Sequence, residues 1–373
     1  MTLTIKEVKT RRDREVFIKI PELLHKNHKN WVPPIYSDDR NFFNPIKNKY
    51  FRYSDVILAI ALNNLEPVGR IMGIINHRYN NQHQEPHARF CFMESTNEPE
   101  VFHALIEFIE RWGCNKRMTH LVGPLGFSDK DPQGFMVEGF GEPQVLATNG
   151  NHPYMPQLLE KEGYSKKVDC VVYKVAIPSK MPDLYQSIYN RTIERTDVEI
   201  INVKGFLHMR SLIKPVFRLL NETFKDIYAF VPFEEYEMSD YANRYLPLLD
   251  PDFIKVAINS KKEVVGFIIA MPDIGKGIIA AKGKLLPLGF IKILRAKRKT
   301  KQLDLLLGAV REDYRGKGVD VAMGVKMIES AWKRGMEFID SHLELETNTK
   351  MRMEMEKIGG VVYKRYRIFQ KPL

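Results

Sequence analysis

Cysteine and long apolar runs are both scarce in this sequence. The three cysteines, Cys91, Cys114 and Cys170, share no metal-binding or redox spacing, and their odd number argues against a disulfide framework. The longest apolar runs, such as Val56–Leu62, are far shorter than the roughly 20 residues that a transmembrane helix needs. The N-terminus, MTLTIKEVKTRRD, lacks the apolar stretch of a signal peptide. These absences predict a cytoplasmic protein.

Acidic residues are missing from one long segment. Between Ile274 and Leu303 there are nine Lys or Arg residues and no Asp or Glu, and the whole chain carries a formal net charge of +11. Such a balance favours an anionic partner, whether a phosphate-bearing cofactor, a nucleic acid or an acidic lipid surface. At 373 residues, 44% of them hydrophobic, the chain is long enough for two domains that each bury a core.

The same order of elements is predicted twice along the chain. Each half has two strands that form a hairpin, then an amphipathic helix, a further strand, a short helix and a final strand. The hairpins are Val56–Leu62 with Pro67–Asn76 and Phe253–Ile258 with Val264–Met271, and the long helices contain Val101–Trp112 and Val321–Trp332. Gly69 and Gly163 are 94 residues apart, and the corresponding Gly266 and Gly359 are 93 residues apart. This near-equality indicates a duplicated domain.

The predicted fold class is therefore α/β (α+β). Each half is expected to form a mixed, mostly antiparallel sheet flanked by helices, because hairpin strands alternate with crossover helices. A linker near Pro178–Pro182 (PSKMP) divides the chain into predicted domains of residues 1–180 and 181–373.

The stretch VREDYRGKGVDVAM, from Val310 to Met323, predicts a strand end, a basic glycine turn and a helix start. The first turn of a helix leaves main-chain N–H groups unpaired, and the helix dipole adds positive charge there. Glycine lets a ligand approach without a Cβ in the way. With Arg315 and Lys317 beside it, the turn predicts a pyrophosphate site.

This turn and a second motif resemble the GNAT superfamily of acyl-CoA N-acyltransferases. The first motif is V-x-x-x-Y-R-G-K-G at Val310–Gly318, and the second is Asn348 with Met351 and Gly359. The resemblance covers the second half and extends through the element order to the first, which implies two tandem GNAT-like domains. It implies acetyl-CoA or a longer acyl-CoA as co-substrate and an amine as acceptor, and it does not favour nucleic acid.

The resemblance also implies which residues bind the co-substrate. The turn would hold the CoA pyrophosphate, the preceding strand would bond the pantetheine arm and the thioester carbonyl, and Asn348 would touch the same arm. The implied residues are Leu307, Gly308, Ala309, Val310, Arg315, Gly316, Lys317, Gly318, Val319, Asp320 and Asn348.

Two positions depart from the family pattern. The family has Gly or Ala at Asp320, where a carboxylate would crowd the pyrophosphate unless it points sideways. It often has a Tyr at Met355 to protonate the leaving thiolate, so that helix face is interpreted as core. The first half has no R-G-x-G before its long helix, so it is predicted to bind no CoA. Its long segment Gly123–Tyr154, with Phe127, Phe135, Phe140 and Tyr154, suits either an acceptor-binding wall or an irregular cover over the seam between the domains.

Five side chains are candidates for proton transfer in amide formation. Glu344 and Glu346 alternate with leucines and are expected to share one face of a strand, and Asp304 begins the pantetheine strand. Any of the three could be the base, or each could be a solvent-facing strand acid. Tyr363 and Tyr314 are candidates for the acid. No Ser-His-Asp or Cys-His arrangement is indicated, the ten His residues are scattered, and no metal site is predicted.

The basic block Lys284–Lys301 joins an apolar stretch to five closely spaced cations. It predicts peripheral contact with an anionic membrane, at the inner membrane face, or a helix that packs Leu285, Leu288, Ile291 and Leu294 on the domain. The membrane interpretation favours a lipid amine and a long acyl chain.

The leading hypothesis is an acyl-CoA-dependent N-acyltransferase that modifies a primary amine. WVPP (Trp31–Pro34) and FFNP (Phe42–Pro45) look like a bacterial group of paired-GNAT proteins, some of which resemble bacterial ceramide synthases. The alternatives are a Fem-like transferase that uses aminoacyl-tRNA and a non-catalytic protein that binds CoA or another ligand.

Overall fold

The computed structural model describes residues 2–373. The first half contains β1 (Leu3–Glu7), α1 (Arg11–Leu24), α2 (Tyr36–Phe42), β2 (Ser54–Asn63), β3 (Glu66–Asn76), α3 (His77–His83), β4 (His87–Ser95), α4 (Pro99–Asn115), β5 (His120–Gly123), β6 (Phe135–Glu138), α5 (Tyr154–Lys161) and β7 (Ser165–Ala176). The second contains α6 (Asp183–Arg195), β8 (Glu199–Asn202), α7 (Gly205–Thr223), α8 (Glu235–Tyr245), β9 (Ile254–Ile258), β10 (Val264–Pro272), α9 (Gly275–Ala281), α10 (Gly289–Lys299), β11 (Gln302–Val310), α11 (Val319–Lys333), β12 (Phe338–Asp340), β13 (Glu344–Leu345), α12 (Thr349–Lys357) and β14 (Val361–Pro372).

Within residues 2–373, all strands join one mixed sheet. Its order is β1-β2-β3-β4-β5-β14-β7-β12-β11-β10-β9-β8, with β6 beside β14 and β13 beside β7. Among these described strands, only the pairs β4–β5 and β11–β12 are parallel. The predicted hairpins are present as β2–β3 and β9–β10. The predicted mixed, mostly antiparallel α/β architecture is confirmed.

The last strand of each half lies in the other half's part of the sheet. β14, at the end of the chain, lies between β5 and β7, and β7 lies between β14 and β12. The two strands pair along their length, from Val361 opposite Lys174 to Gln370 opposite Ser165. The two halves are thus joined through main-chain hydrogen bonds. The boundary at residue 180 falls between β7 and α6 and stays a prediction.

Helices cover both faces of the second half of the sheet. Strand side chains alternate in direction, so Val256 and Phe267 pack against α7, whereas Ala257 and Val265 pack against Val319 of α11. The buried face of α11 differs from the predicted one. Trp332 is 36% exposed and its indole N–H donates a 2.7 Å hydrogen bond to a carbonyl in the linker segment, while Met327 and Ala331 are buried. The buried residues of α11 are Val319, Ala322, Met323, Val325, Met327 and Ala331. In residues 2–373, no helix is both long and apolar enough to span a bilayer.

Candidate active site

The glycine turn between β11 and α11 contains two left-handed residues. Gly316 and Gly318 have φ values of +72° and +82°, a region that favours glycine. A Cβ on Gly318 would lie 2.4 Å from the hydroxyl oxygen of Thr192 on α6, whereas a Cβ on Gly316 would meet nothing within 4 Å. The Thr192 hydroxyl also donates a 3.0 Å hydrogen bond to the carbonyl of Lys317. Helix α6 therefore fixes one side of the turn and leaves Gly316 open.

The N-terminus of α11 keeps its positive character. Gly318 is the N-cap residue, so no side chain caps the first-turn N–H groups. Arg315 and Lys317 are exposed beside it, and the Arg315 Nε donates to the carbonyl of Val310 at 3.1 Å. Asp320 is also exposed in this first turn. The turn therefore combines three features that attract anions: free N–H groups, the helix dipole and two cations. The Asp320 carboxylate is one negative charge at the same place.

Strand β11 has one free edge along its second part. It pairs in parallel with β12 only at Gln302–Asp304, whereas its other edge pairs with β10 as far as Val310. From Leu305 to Val310, no described strand pairs with the edge that faced β12. Its main-chain N–H and C=O groups can therefore bond a ligand in the manner of an added strand.

A cavity of about 470 Å³ opens along this free edge. One wall is apolar and comes from α7 and α8: Met209, Leu212, Ile213, Val216, Phe217, Leu220, Tyr241, Ala242 and Tyr245. The cavity also brings together Leu307–Val310, Asp320, Glu344 and Asn348 among the residues predicted from the sequence. Arg315–Val319 form the adjoining turn. Asn348 additionally caps α12, since its side-chain oxygen accepts a hydrogen bond from the Met351 N–H at 3.4 Å.

Glu344 and Glu346 are in different environments. Glu344 lies on β13 and lines the cavity, and burial raises the pKa of its carboxyl to about 8. Glu346 lies beyond the end of β13, so the expected strand alternation does not continue to it. Its carboxylate accepts hydrogen bonds from Lys166 Nζ at 2.8 Å and from the Asp169 N–H at 2.9 Å. Burial acts to raise the pKa of Glu346, but these hydrogen bonds outweigh it and lower the pKa.

Asp304 and Tyr363 lie outside the cavity lining. Asp304 is fully buried, and burial, followed by the charges of Asp273 and Asp340, raises its pKa well above the usual value. One of its oxygens accepts a 2.7 Å hydrogen bond from a neighbouring glutamine, and the other has no partner among the described residues. The Tyr363 hydroxyl donates to Asp340, whose carboxylate is 3.7 Å from the buried Lys364 Nζ. This network lies where β7, β12 and β14 meet. Of the helix face Met351, Met355 and Ile358, which the sequence predicts to be core, Met355 is buried, whereas Met351 lines the cavity and Ile358 is 39% exposed.

His342 is a cavity residue that sequence reasoning missed. It has a φ of +59°, and its main-chain N–H donates to Asp340 at 2.7 Å. Its Nε2 is 3.1 Å from the carbonyl oxygen of Leu146, and burial lowers its pKa. Leu146 shows that the long segment Gly123–Tyr154 does contribute to the cavity wall. It does so through Leu146, Ala147, Asp129, Lys130, Asp131 and Gln133. The aromatic Phe127 and Phe135 belong to the core.

The described part of the first half, from residue 2 onward, has no comparable turn before its long helix. Its helix α4 begins with Pro99, after an N-cap Glu98 that makes no side-chain cap hydrogen bond. The segment between β4 and α4 contains no glycine, so it cannot adopt the same left-handed turn without strain.

No protein-family model matches the chain. A bacterial ceramide synthase of Caulobacter vibrioides (strain NA1000 / CB15N) is 26% identical over 379 aligned positions, which cover 100% of this chain and 98% of that protein. Protein YghO of Escherichia coli (strain K12) is 24% identical over 373 positions, covering 97% of this chain and 94% of the relative. A solved tandem GNAT protein from the clavulanic acid biosynthesis pathway superposes with a TM-score of 0.58 at 10% identity, covering 100% of this chain and 98% of the other.

Proposed function

We propose that this chain, which has the tandem GNAT fold, is an acyl-CoA-dependent N-acyltransferase that moves an acyl group from CoA to a primary amine. We further propose that the acyl group is long and that the acceptor is a long-chain or lipid amine. The similarity to a protein named bacterial ceramide synthase supports acyl transfer to such an amine.

One arrangement carries the proposal: a basic glycine turn, a free strand edge and an apolar cavity are contiguous. The main-chain N–H groups of Gly316–Asp320, with Arg315 and Lys317, would bind a pyrophosphate. The free edge of β11 would bond the amides of a pantetheine arm. The arm would then deliver its thioester to the cavity, next to Glu344.

The size and polarity of the cavity favour a long acyl chain over acetyl. Its volume of about 470 Å³ lies within the ~300–1,000 Å³ of sites that enclose drug-sized ligands. Burial of each methylene group contributes ~0.8 kcal/mol, so every methylene beyond acetyl adds to binding until the apolar wall is filled. A two-carbon acyl group would leave most of the wall without contacts.

Glu344 is our proposed general base. The acceptor nitrogen attacks the thioester carbon, the C–S bond breaks as the C–N bond forms, and the nitrogen loses a proton to the Glu344 carboxylate. Main-chain N–H groups on the free edge of β11 would stabilise the negative charge on the carbonyl oxygen. A carboxyl with a pKa of about 8 is a much stronger base than an ordinary glutamate once it is ionised. The leaving thiolate is released without an assigned acid, since the two candidate acids, Tyr363 and Tyr314, lie outside the cavity lining.

We also propose that the protein acts at the inner face of an anionic membrane. The predicted packing face is split: Leu285 and Leu294 are partly buried, while Leu288 and Ile291 are 61% and 60% exposed. Outside that predicted face, Ile293 of α10 is buried and Leu286 is 82% exposed. The exposed cations Lys284, Lys292, Arg295, Arg298 and Lys299 lie in the same segment. Each basic residue near an anionic surface contributes ~1 kcal/mol of attraction. Apolar contact and charge together would hold the cavity near its lipid-soluble substrates.

A transfer assay tests the proposed function. Purified protein is incubated with palmitoyl-CoA or acetyl-CoA and a long-chain primary amine, and amide formation is followed by mass spectrometry. We expect amide with palmitoyl-CoA, much less with acetyl-CoA, and a loss of activity through a higher KM for acyl-CoA in Arg315→Ala. Arg191→Ala, on α6, is the matched control for removal of a cation. Absence of amide with every acyl-CoA and amine tested, from protein that shows its native unfolding transition, would refute the proposal.

A further inference from the structure

Three histidines come together in the first half, away from the proposed active site. His25 follows α1, His28 lies in the next turn, and His152 precedes α5 after 124 further residues. One ring nitrogen from each lies within 4.8 Å of the others, and the Nδ1 atoms of His25 and His28 are 2.9 Å apart. His25 is buried, whereas His28 and His152 are partly buried, so the cluster opens to the surface on one side.

The outward nitrogens of two of these rings are already anchored. His25 Nε2 lies 2.9 Å from a carboxylate oxygen of Glu94, and His152 Nε2 lies 3.2 Å from the carbonyl oxygen of Leu24. An N–H that donates to each of these acceptors leaves the Nδ1 of the same ring with a free lone pair. Histidines that bind metals show this pattern, in which the second ring nitrogen is fixed by a carboxylate or a main-chain carbonyl.

The surrounding aromatic residues hold the rings in place. Trp31 stacks on His25 with ring centroids 4.8 Å apart, and Tyr154 stacks on His152 at 5.2 Å.

We propose that His25, His28 and His152 form a binding site for a divalent first-row transition metal, with Zn²⁺ as the best fit. Three imidazoles with a fourth position open to solvent suit tetrahedral Zn²⁺, which bonds nitrogen at ~2.0–2.1 Å. In that geometry the ligand nitrogens are about 3.3 Å apart. The His25 and His28 nitrogens would have to separate by less than ~0.5 Å from their present hydrogen-bond distance.

The metal would have a structural effect on the first half. It would tie the end of α1 to the segment before α5, which are joined here by the His152 contact to Leu24. His25 and Trp31 also line a second cavity of about 160 Å³, so a bound metal would stabilise the wall of that cavity. The second cavity shares Leu146, Ala147 and Tyr245 with the larger one, so the metal would also stabilise the wall between the two cavities.

Cobalt titration of the tag-free, full-length protein tests the site. Co²⁺ bound by three imidazoles has visible absorption that free Co²⁺ lacks, so we expect a band that saturates at one Co²⁺ per chain and disappears when Zn²⁺ is added. His28→Ala and His152→Ala should weaken binding ~100-fold or more, because loss of a direct ligand exceeds the ~10–100-fold effect of a second-shell change. His103→Ala is the control, since His103 is exposed on α4 and its side chain lies 2.9 Å from a carboxylate oxygen of Glu162.

Two results would overturn the proposal. One is a wild-type protein that binds no Co²⁺ or Zn²⁺ at a metal concentration of ~100 µM, which is far above the dissociation constant expected for a protein metal site. The other is equal binding by wild type and by both variants. Thermal unfolding of each variant without metal shows that it is folded, and a rise in unfolding temperature with Zn²⁺ is expected for wild type and for His103→Ala only.

Discussion

Replacement of Glu344 by Gln should change both the stability and the activity of the protein in ways that depend on pH. Burial in the cavity wall raises the pKa of Glu344 from 4.5 to about 8, without a neighbouring charge to account for it. The folded state therefore holds the proton more tightly than the unfolded state. The stability that this provides is fully present below about pH 4.5 and is lost as the pH rises to about 8.

The magnitude follows from the two pKa values. Each pH unit between them corresponds to ~1.4 kcal/mol. Wild type should thus be less stable than Glu344→Gln by about 3 kcal/mol at pH 7 and by about 5 kcal/mol at pH 9. These are upper values, because water in the cavity screens the charge. At pH 4 the two proteins should be equally stable, since a glutamine replaces a protonated glutamate with little change in shape.

Urea denaturation at pH 4, 7 and 9 measures these differences. Glu346→Gln is the matched control: its pKa is lowered by hydrogen bonds from Lys166 and Asp169, so this variant should be less stable than wild type at pH 7. A difference between Glu344→Gln and wild type that is constant across pH would refute the burial argument. In the transfer assay Glu344→Gln should lose ~10²–10⁴-fold in kcat, the usual contribution of a general base, whereas wild-type activity should rise with pH to a plateau above about pH 8.

Three further predictions concern the turn, the cavity and the surface. Gly318→Ala should destabilise the protein by at least ~1–2 kcal/mol in urea denaturation and weaken CoA binding, because the φ of Gly318 is +82° and the new Cβ would meet Thr192. Gly316→Ala introduces only the backbone strain, so its destabilisation should be smaller. Ile213→Trp fills the apolar end of the cavity and should lower kcat/KM for palmitoyl-CoA more than for shorter acyl-CoAs in the transfer assay; equal losses for all chain lengths would place the acyl chain elsewhere. Leu288→Asp with Ile291→Asp should abolish sedimentation with anionic vesicles while leaving the unfolding transition unchanged, since both side chains are exposed; unchanged sedimentation would remove this surface from the account.

Local features were the most predictable part of the molecule. The glycine turn could be located because a strand end, two glycines and a helix start are contiguous in the sequence, and the tandem GNAT fold expected from it is confirmed. The apolar and basic character of α10 was also visible. The sequence did not show which apolar residues of α10 face the domain, because periodicity identifies an apolar stripe but not the surface that packs against it. The fold shows that Ile293 is buried and Ile291 is exposed.

Features that depend on distant pairing were not predictable. The exchange of β7 and β14 pairs residues almost 200 positions apart in the sequence. The residue pattern of neither strand predicts which strand it pairs with. The split between Glu344 and Glu346 arises because β13 is only two residues long, too short for alternation to persist. The histidine cluster was partly visible as H-x-x-H at His25 and His28, but the third member comes from 124 residues away.

A crystal structure with palmitoyl-CoA would show whether the glycine turn holds the pyrophosphate of an acyl-CoA. We expect pyrophosphate oxygens within hydrogen-bond distance of the main-chain N–H groups of Gly316–Asp320, with the acyl chain against Phe217 and Ile213 in the large cavity. A nucleotide bound elsewhere, or a turn in which the Asp320 carboxylate occupies the pyrophosphate position and the ligand is excluded, would refute the proposed site.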